Sequence, residues 1–284
     1  MPFLPDQADG SPVRAYLFAH PAGHSLSPAM HDAALASLGI EGRYLALDVP
    51  PSGLRAALDE LRRSGAWGAN LTIPHKEAAL PLLDDLSEEA WAIGAVNTVV
   101  RRDGRLHGLN TDAPGFMAAL VEAGVAVGGR DALVLGAGGA GRAVAFALRE
   151  AGARVGVWNR TPGRAEALAS EFRLGHVSDA RLPSAARSAW LLVNSTSVGL
   201  RDAEASPLLP GALPRDGWVC DIVYRPLETR LLREARAAGL GTVDGLGMLV
   251  HQGALALSAW AGRPAPADVM RYAALAALAG TQAR

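Results

Sequence analysis

Short apolar runs, each closed by glycine, proline or a small polar residue and followed by a helix-forming stretch, recur along the chain. Runs at 14–19, 43–47 and 67–73 predict three strands. Helices are expected after each: one opened by Pro28 and ending before Gly39, one over 52–63, and one after Pro74. A short helix over 87–93 follows, then strands at 96–101 and 105–109 turning at Asp103-Gly104, a strong hairpin signal. From Ala113 a helix leads to apolar strands at 132–135, 154–158, 190–194 and 218–221. These read as parallel strands buried on both faces. After Gly241-Thr-Val243, helices over 245–261 and 266–279 carry mostly Ala, Leu and Val, and they are expected to pack back onto the first half.

The pattern predicts an α/β protein of two domains, and no internal repeat or low-complexity linker interrupts it. The 284 residues suffice for two cores. Half the residues are apolar and the net charge is −1, which implies neither nucleic acid nor a membrane surface as partner. A lone cysteine, Cys220, lies in an apolar strand pattern, where it is expected to be inert. It has no internal disulfide partner, which suits the cytoplasm. Residues 1–12 lack a basic segment followed by a long apolar one and are expected to be a loose tail. No His/Cys/Asp/Glu cluster has metal-ligand spacing, so no metal is expected.

The chemistry starts at the 132–135 strand, which runs into Gly136-Ala137-Gly138-Gly139-Ala140-Gly141 and then a helix. Gly136, Gly138 and Gly141 fit the dinucleotide-binding pattern: a tight turn, close backbone approach to a pyrophosphate, and close helix packing. The new helix directs unpaired N–H groups at the phosphates. A ligand-free glycine turn between strand and helix has the same pattern, but here a second strand follows, as a βαβ unit requires. Where such folds usually place an acid for the adenosine ribose, this chain has Asn159-Arg160-Thr161, with Arg164 one helical turn on. Guanidinium groups pair with a 2′-phosphate, so the expected cofactor is NADP(H) rather than NAD. Thr161-Pro162 also suits a helix N-terminus, a role that leaves both arginines available.

Small polar residues gather where the first-half strands end, the place where α/β sheets bind ligands. Ser25 and Ser27 precede a helix and suit a carboxylate, although Ser27 also suits N-capping. Thr72 and Lys76 flank a corner stiffened by Pro74; a lysine there is equally a solvated helix residue. Asn97 and the segment Asn110-Thr-Asp112 end later strands, where such residues also serve turns. Gln252, on the first closing helix, is either a ligand or a satisfied core group.

Nine words in order resemble the shikimate dehydrogenase family over nearly the whole chain: Ser25-Leu-Ser-Pro28, Asn70-Leu-Thr-Ile-Pro-His-Lys76, Gly94-Ala-Val-Asn-Thr98, Asn110-Thr-Asp112, Gly136-Ala-Gly-Gly-Ala140, Asn159-Arg-Thr161, Asn194-Ser-Thr196, Asp221-Ile-Val-Tyr224 and Asp244-Gly-Leu-Gly-Met-Leu-Val250. The resemblance implies reversible NADP-linked reduction of 3-dehydroshikimate to shikimate, in aromatic amino-acid biosynthesis. It implies a substrate domain over 1–111 and 248–284 and a Rossmann-like cofactor domain over 112–247. It makes Lys76 the catalytic lysine with Asp112 its partner, and puts Ser25, Ser27 and Tyr224 on the substrate carboxylate. Thr72, Asn97 and Gln252 would hold ring hydroxyls, while Ile222 and Gly245 would lie near the nicotinamide. Two positions depart from the family pattern. Ala113-Pro114 stands where glycine is frequent, an expected stiffening of the hinge, and His75 stands where an aromatic residue is frequent.

A lysine ammonium can deliver the proton as charge builds on the ketone oxygen, and a nearby carboxylate would favour its charged form. The expected partners are therefore small molecules, with a homodimer compatible. Three rivals compete with this reading. An NAD-linked quinate/shikimate dehydrogenase is opposed by Arg160, Arg164 and the serine pair; a non-catalytic sensor is opposed by retention of Lys76 and Asp112; and a methylenetetrahydrofolate-type dehydrogenase of similar two-domain shape lacks the Ser25/Ser27 and Asn110-Thr-Asp112 words.

Overall fold

A computed structural model describes residues 3–23 and 25–282. The chain forms two compact units, Met1–Thr111 with Val250–Arg284, and Asp112–Leu249. The strands are β1 (Gln7–Ala8), β2 (Ser11–Ala19), β3 (Arg43–Asp48), β4 (Gly68–Leu71), β5 (Asp85–Leu86), β6 (Thr98–Arg102), β7 (Arg105–Leu109), β8 (Asp131–Leu135), β9 (Arg154–Trp158), β10 (Gly175–His176), β11 (Leu191–Asn194), β12 (Trp218–Asp221) and β13 (Gly241–Val243).

The first unit holds a mixed sheet in the order β1-β2-β4-β6-β7-β5, with β3 also paired to β2. Strands β3 and β4 run parallel to β2, whereas β6 runs antiparallel to both β4 and β7. The start of β6 therefore lies beside the ends of β4 and β7, gathering three chain segments on one sheet edge. Asp103 and Gly104 both take positive φ, 51° and 74°, as the tight β6–β7 turn requires. One face of the sheet is sealed by Tyr16, Phe18, Leu54, Leu58, Leu61 and Leu71. The helices Gly245–Ala261 and Ala267–Gln282 close the chain, and from Val250 onward they belong to this unit. Trp260 seals the contact, its Nε1–H donating to the Val99 carbonyl at 3.0 Å.

The expected tail over 1–12 needs correction. Gln7 and Ala8 pair antiparallel with Pro12 and Ser11, and the buried Leu4 donates its N–H to Glu60 Oε2 at 2.9 Å. Met1 and Pro2 lie outside the described residues, as does His24 of the first loop. The helix expected after Pro74 is a single turn, His75–Ala78.

The second unit is a wholly parallel sheet in the order β10-β9-β8-β11-β12-β13. From β8 the chain first adds β9 and β10 on one side and then β11, β12 and β13 on the other, so the order reverses between β8 and β11. That is the place where open α/β sheets bind ligands. Two edge strands, β10 and β13, were not expected: they have only 2 and 3 residues, too few for a periodic signal.

Candidate active site

In the first unit the predicted residues lie around one sheet edge. The loop leaving β2 carries Ser25 and Ser27, and Ser25 Oγ accepts from the Ser27 backbone N–H at 3.1 Å. Leu26, not Ser27, occupies the N-cap of the Ser27–Ser37 helix, which has no side-chain cap. Ser27 is therefore the first helical residue rather than its N-cap, and the capping alternative falls. Beyond β4, Thr72 is anchored through backbone bonds to Phe18 and His75. Lys76 follows in the half-buried turn, its carbonyl accepting from the Val96 N–H at 2.8 Å.

His75 fills the position where an aromatic ring is frequent in the family. It is buried, with Nε2 at 2.7 Å from the Val49 carbonyl, which assigns the ring proton to that nitrogen. Burial pulls its pKa below the ordinary histidine value, against the opposing effect of that bond.

Asn97 is the hub of the edge. Its Nδ2 donates to Thr111 Oγ1 at 2.9 Å and to Gln252 Oε1 at 3.2 Å, and its Oδ1 accepts the Thr111 N–H at 2.7 Å. Behind it, Tyr44 Oη donates to Asn70 Oδ1 at 2.8 Å, and Asn70 Nδ2 donates to Thr98 Oγ1 at 3.0 Å. Thr98 Oγ1 lies at 3.1 Å from Asn97 Oδ1. Sequence reasoning missed Tyr44 altogether; a tyrosine inside an apolar strand carries no local sign that its hydroxyl reaches a site amide. His31 stacks on that tyrosine, with ring centroids 4.2 Å apart and planes 5° apart.

In the second unit, Asp112 is buried and opens the Asp112–Glu122 helix. The glycine loop leaves β8 with Gly136 at φ 112°, a conformation that side chains rarely adopt. A Cβ on Gly141 would lie 2.2 Å from the Gly136 carbonyl oxygen, so the helix sits hard against the turn. At Gly138 a Cβ would meet nothing within 4 Å. That open side, above the first turn of the Gly139–Glu150 helix, fits a pyrophosphate approaching the backbone of Gly138, Gly139 and Ala140. Asn159 Oδ1 accepts the Ala137 N–H at 3.1 Å, and its Nδ2 donates to the Thr161 carbonyl at 2.9 Å. It thus ties the glycine loop to the loop after β9. Thr161 holds the N-cap of the Pro162–Phe172 helix without a side-chain capping bond, and no acid lies in the first turn. Arg160 and Arg164 are exposed there. A cavity of about 340 Å³ beside Arg160 is lined also by Trp158, Asp179, Leu182 and Leu208. A larger one of about 730 Å³, around Leu83 and Trp91, includes none of the predicted site residues.

Ile222 and Tyr224 follow β12, both partly exposed. Gly245 packs on that segment so tightly that a Cβ would lie 2.3 Å from the Ile222 carbonyl oxygen. Among the described residues no group of three or more His, Cys, Asp or Glu could hold a metal ion, and no helix is long and apolar enough to cross a membrane.

Profiles of known families match three parts of the chain: a shikimate dehydrogenase substrate binding domain at residues 17–99, a shikimate / quinate 5-dehydrogenase at 120–198, and a shikimate 5'-dehydrogenase C-terminal domain at 245–275. A shikimate dehydrogenase (NADP(+)) from Thermus thermophilus is 57% identical over 266 residues, 94% of this chain and 99% of that protein. The chain belongs to the shikimate dehydrogenase family. A second shikimate dehydrogenase (NADP(+)), from Symbiobacterium thermophilum, is 52% identical over 276 residues, covering 93% of this chain and 94% of its own. The crystal structure of a Thermus thermophilus shikimate 5-dehydrogenase in complex with NADP(H) and shikimate matches with a TM-score of 0.88 and 57% identity. That match covers 94% of this chain and 100% of the other. Shikimate dehydrogenases thus share this α/β architecture across both units, and the first family profile ends just past Asn97 and Thr98.

Proposed function

We propose that this chain interconverts 3-dehydroshikimate and shikimate with NADP(H), within aromatic amino-acid biosynthesis. The observation that carries the reading is identity of 57%, sustained over 94% of the chain, with an enzyme solved in complex with NADP(H) and shikimate. In this reading the unit of Met1–Thr111 and Val250–Arg284 binds substrate, and the unit Asp112–Leu249 binds the cofactor.

Bound NADPH supplies the hydride. The glycine loop, Gly136 to Ala140, holds the pyrophosphate through the N–H groups of Gly138, Gly139 and Ala140, those of Gly136 and Ala137 being donated to Trp158 and Asn159. Asn159 and Thr161 shape the adenosine end, and Arg160 with Arg164 bind the 2′-phosphate. Ile222 and Gly245 flank the nicotinamide. Ser25, Ser27 and Tyr224 bind the substrate carboxylate, while Thr72, Asn97 and Gln252 hold ring hydroxyls. Lys76 then delivers a proton from Nζ to the carbonyl oxygen and stabilises the growing negative charge, and Asp112 orients that ammonium. Support for the hydroxyl assignment comes from Asn97 and Gln252, whose amides already meet in the first unit.

The cytoplasm is the compartment we assign, because the chain carries one cysteine and that one is buried. A homodimer is the proposed assembly, for which exposed Tyr272 and Leu275 offer apolar area; sedimentation of the purified protein distinguishes it from a monomer. The decisive assay is shikimate oxidation followed by NADPH absorbance. Wild type turns over with NADP, and Lys76→Ala loses about 10²–10⁴-fold in kcat with little change in the affinity for shikimate. Turnover retained in the variant would overturn the role of Lys76, and wild type inert with shikimate would overturn the reaction.

A further inference from the structure

The word Asn194-Ser-Thr196 stands at the end of β11, where the strand order reverses, and the proposed site gives it no role. Ser195 and Asn194 send hydrogen bonds to the two neighbouring strands, while Thr196 bonds within its own loop. Ser195 Oγ donates to the Leu135 carbonyl at 2.7 Å, at the point where β8 enters the glycine loop. It also sits where any side chain on Gly136 would go, at 2.7 Å from a Cβ placed there. On the other side, Asn194 Nδ2 donates to Asp221 Oδ1 at 2.9 Å, joining residues in register on β11 and β12. Asp221 Oδ1 accepts the Val223 N–H at 3.0 Å, and Oδ2 accepts from Thr229 Oγ1 at 2.7 Å. Between them Ile222 donates its N–H to the Asn194 carbonyl at 3.0 Å. Asn194 Oδ1 is taken in turn by Thr196, through N at 3.1 Å and Oγ1 at 2.7 Å.

We propose that Ser195, Asn194 and Asp221 are positioning residues that fix the glycine loop and the Ile222–Tyr224 segment relative to each other. The proposal rests on the cofactor site described above. A dinucleotide spans two anchor points, its pyrophosphate on one loop and its nicotinamide against the other. Hydride transfer tolerates little error in that span; a misplacement of about 1 Å can cost about 10²-fold in rate. The three residues connect both anchors through one strand end, with no atom reserved for the cofactor itself. Asp221 also carries a cost that simple packing would avoid: it is fully buried, and burial raises its pKa to about 6 although three donors pull it down. An apolar pair would hold two strand ends more cheaply, but it would leave the Val223 N–H and the Thr229 hydroxyl without an acceptor.

The test is a comparison of Ser195→Ala, Asn194→Ala, Asp221→Leu and Asp221→Asn by steady-state kinetics, melting temperature and the primary isotope effect with shikimate deuterated at its reacting carbon. Asp221→Leu and Asn194→Ala should lower kcat by about 10–100-fold and raise the isotope effect, and should also raise KM for shikimate, because Tyr224 on the segment they hold binds the substrate carboxylate. Asp221→Asn keeps an acceptor for Asn194 and Val223, so it should recover most of kcat. Ser195→Ala keeps the backbone bond to Leu135, so it should fold and raise KM for NADP with kcat little changed. Losses in kcat and both KM values that merely follow the melting temperature would overturn the proposal, as would wild-type kinetics throughout. Should Asp221→Leu not fold, Ser195→Ala and Asp221→Asn decide by the same criteria. NADPH titration of wild type separates the two levels: no binding sinks the cofactor site, whereas binding with unchanged variants sinks only the positioning role.

Discussion

Asn97 and Gln252 lie 155 positions apart in the chain, yet Asn97 Nδ2 donates to Gln252 Oε1 at 3.2 Å. The bond is possible because the chain leaves the first unit after Thr111 and returns at Val250, bringing a late helix to an early sheet edge. The two partners differ in what else they hold. Asn97 also satisfies the buried Thr111 N–H, whereas Gln252 is half-buried on a helix. Gln252→Ala should therefore raise KM for shikimate about tenfold while leaving the melting temperature near wild type. Asn97→Ala should raise KM and also lose about 1–3 kcal/mol of stability, because it orphans a buried donor. Kinetics with denaturant melts check both; an unchanged KM in Gln252→Ala would remove that residue from the substrate site.

In the proposed site, cofactor choice rests on Arg160 and Arg164, exposed beyond β9 with no acid in the first turn of the following helix. A charge-assisted bond to a phosphate is worth about 1.5–3 kcal/mol. Arg160→Ala should accordingly raise KM for NADP about 10–100-fold while leaving KM for NAD within about threefold. Equal losses with both nucleotides would mean that Arg160 serves the loop rather than the 2′-phosphate.

Sequence and structure part company where the signal is not local. The strand-end words are legible because each joins an apolar run to residues with special turn chemistry, and β8 through the glycine loop shows this best. The helix Arg230–Ala237 gave no clear warning in a stretch rich in arginine and leucine, although Thr229 Oγ1 accepts from the Leu232 N–H as its cap. The edge strand β10 has only two residues, so its pairing with β9 decides its form rather than its composition. Ser27 failed as a cap for a different reason: the helix already begins at it, one residue earlier than Pro28 suggests, which leaves Leu26 at the N-cap. Tyr44, Asn194 and Asp221 act through partners on other strands, and spacing along one strand cannot show them.

His31 was hidden in the same way. It is buried against Tyr44 and Trp260, and neither ring nitrogen has a hydrogen-bond partner among the described residues. Burial lowers its pKa from 6.5 to about 3. The unfolded chain thus binds this proton first, so the stability contribution is present above pH 6.5 and lost as pH falls toward 3. The slope is about 1.4 kcal/mol per pH unit at most within that window. His31→Phe should remove it, leaving a variant at least as stable at neutral pH and visibly more acid-resistant. Urea melts at several pH values test this; parallel acid limbs in wild type and variant would show that His31 does not titrate as stated.

Gly138 and Gly141 belong to one loop but answer to different neighbours. At Gly141 a Cβ would meet the Gly136 carbonyl oxygen at 2.2 Å and its carbon at 2.8 Å, both backbone. Neither atom can move without opening the turn, so Gly141→Ala should lower the melting temperature and weaken NADPH binding together. At Gly138 φ is −90°, open to any residue, and a Cβ would meet nothing within 4 Å. Gly138→Ala should then melt like wild type. Its methyl group would occupy the space through which a pyrophosphate reaches the backbone, so NADPH affinity should fall by about tenfold or more. Fluorescence titration with NADPH beside thermal melts separates the two effects, and full affinity in Gly138→Ala would place the pyrophosphate elsewhere.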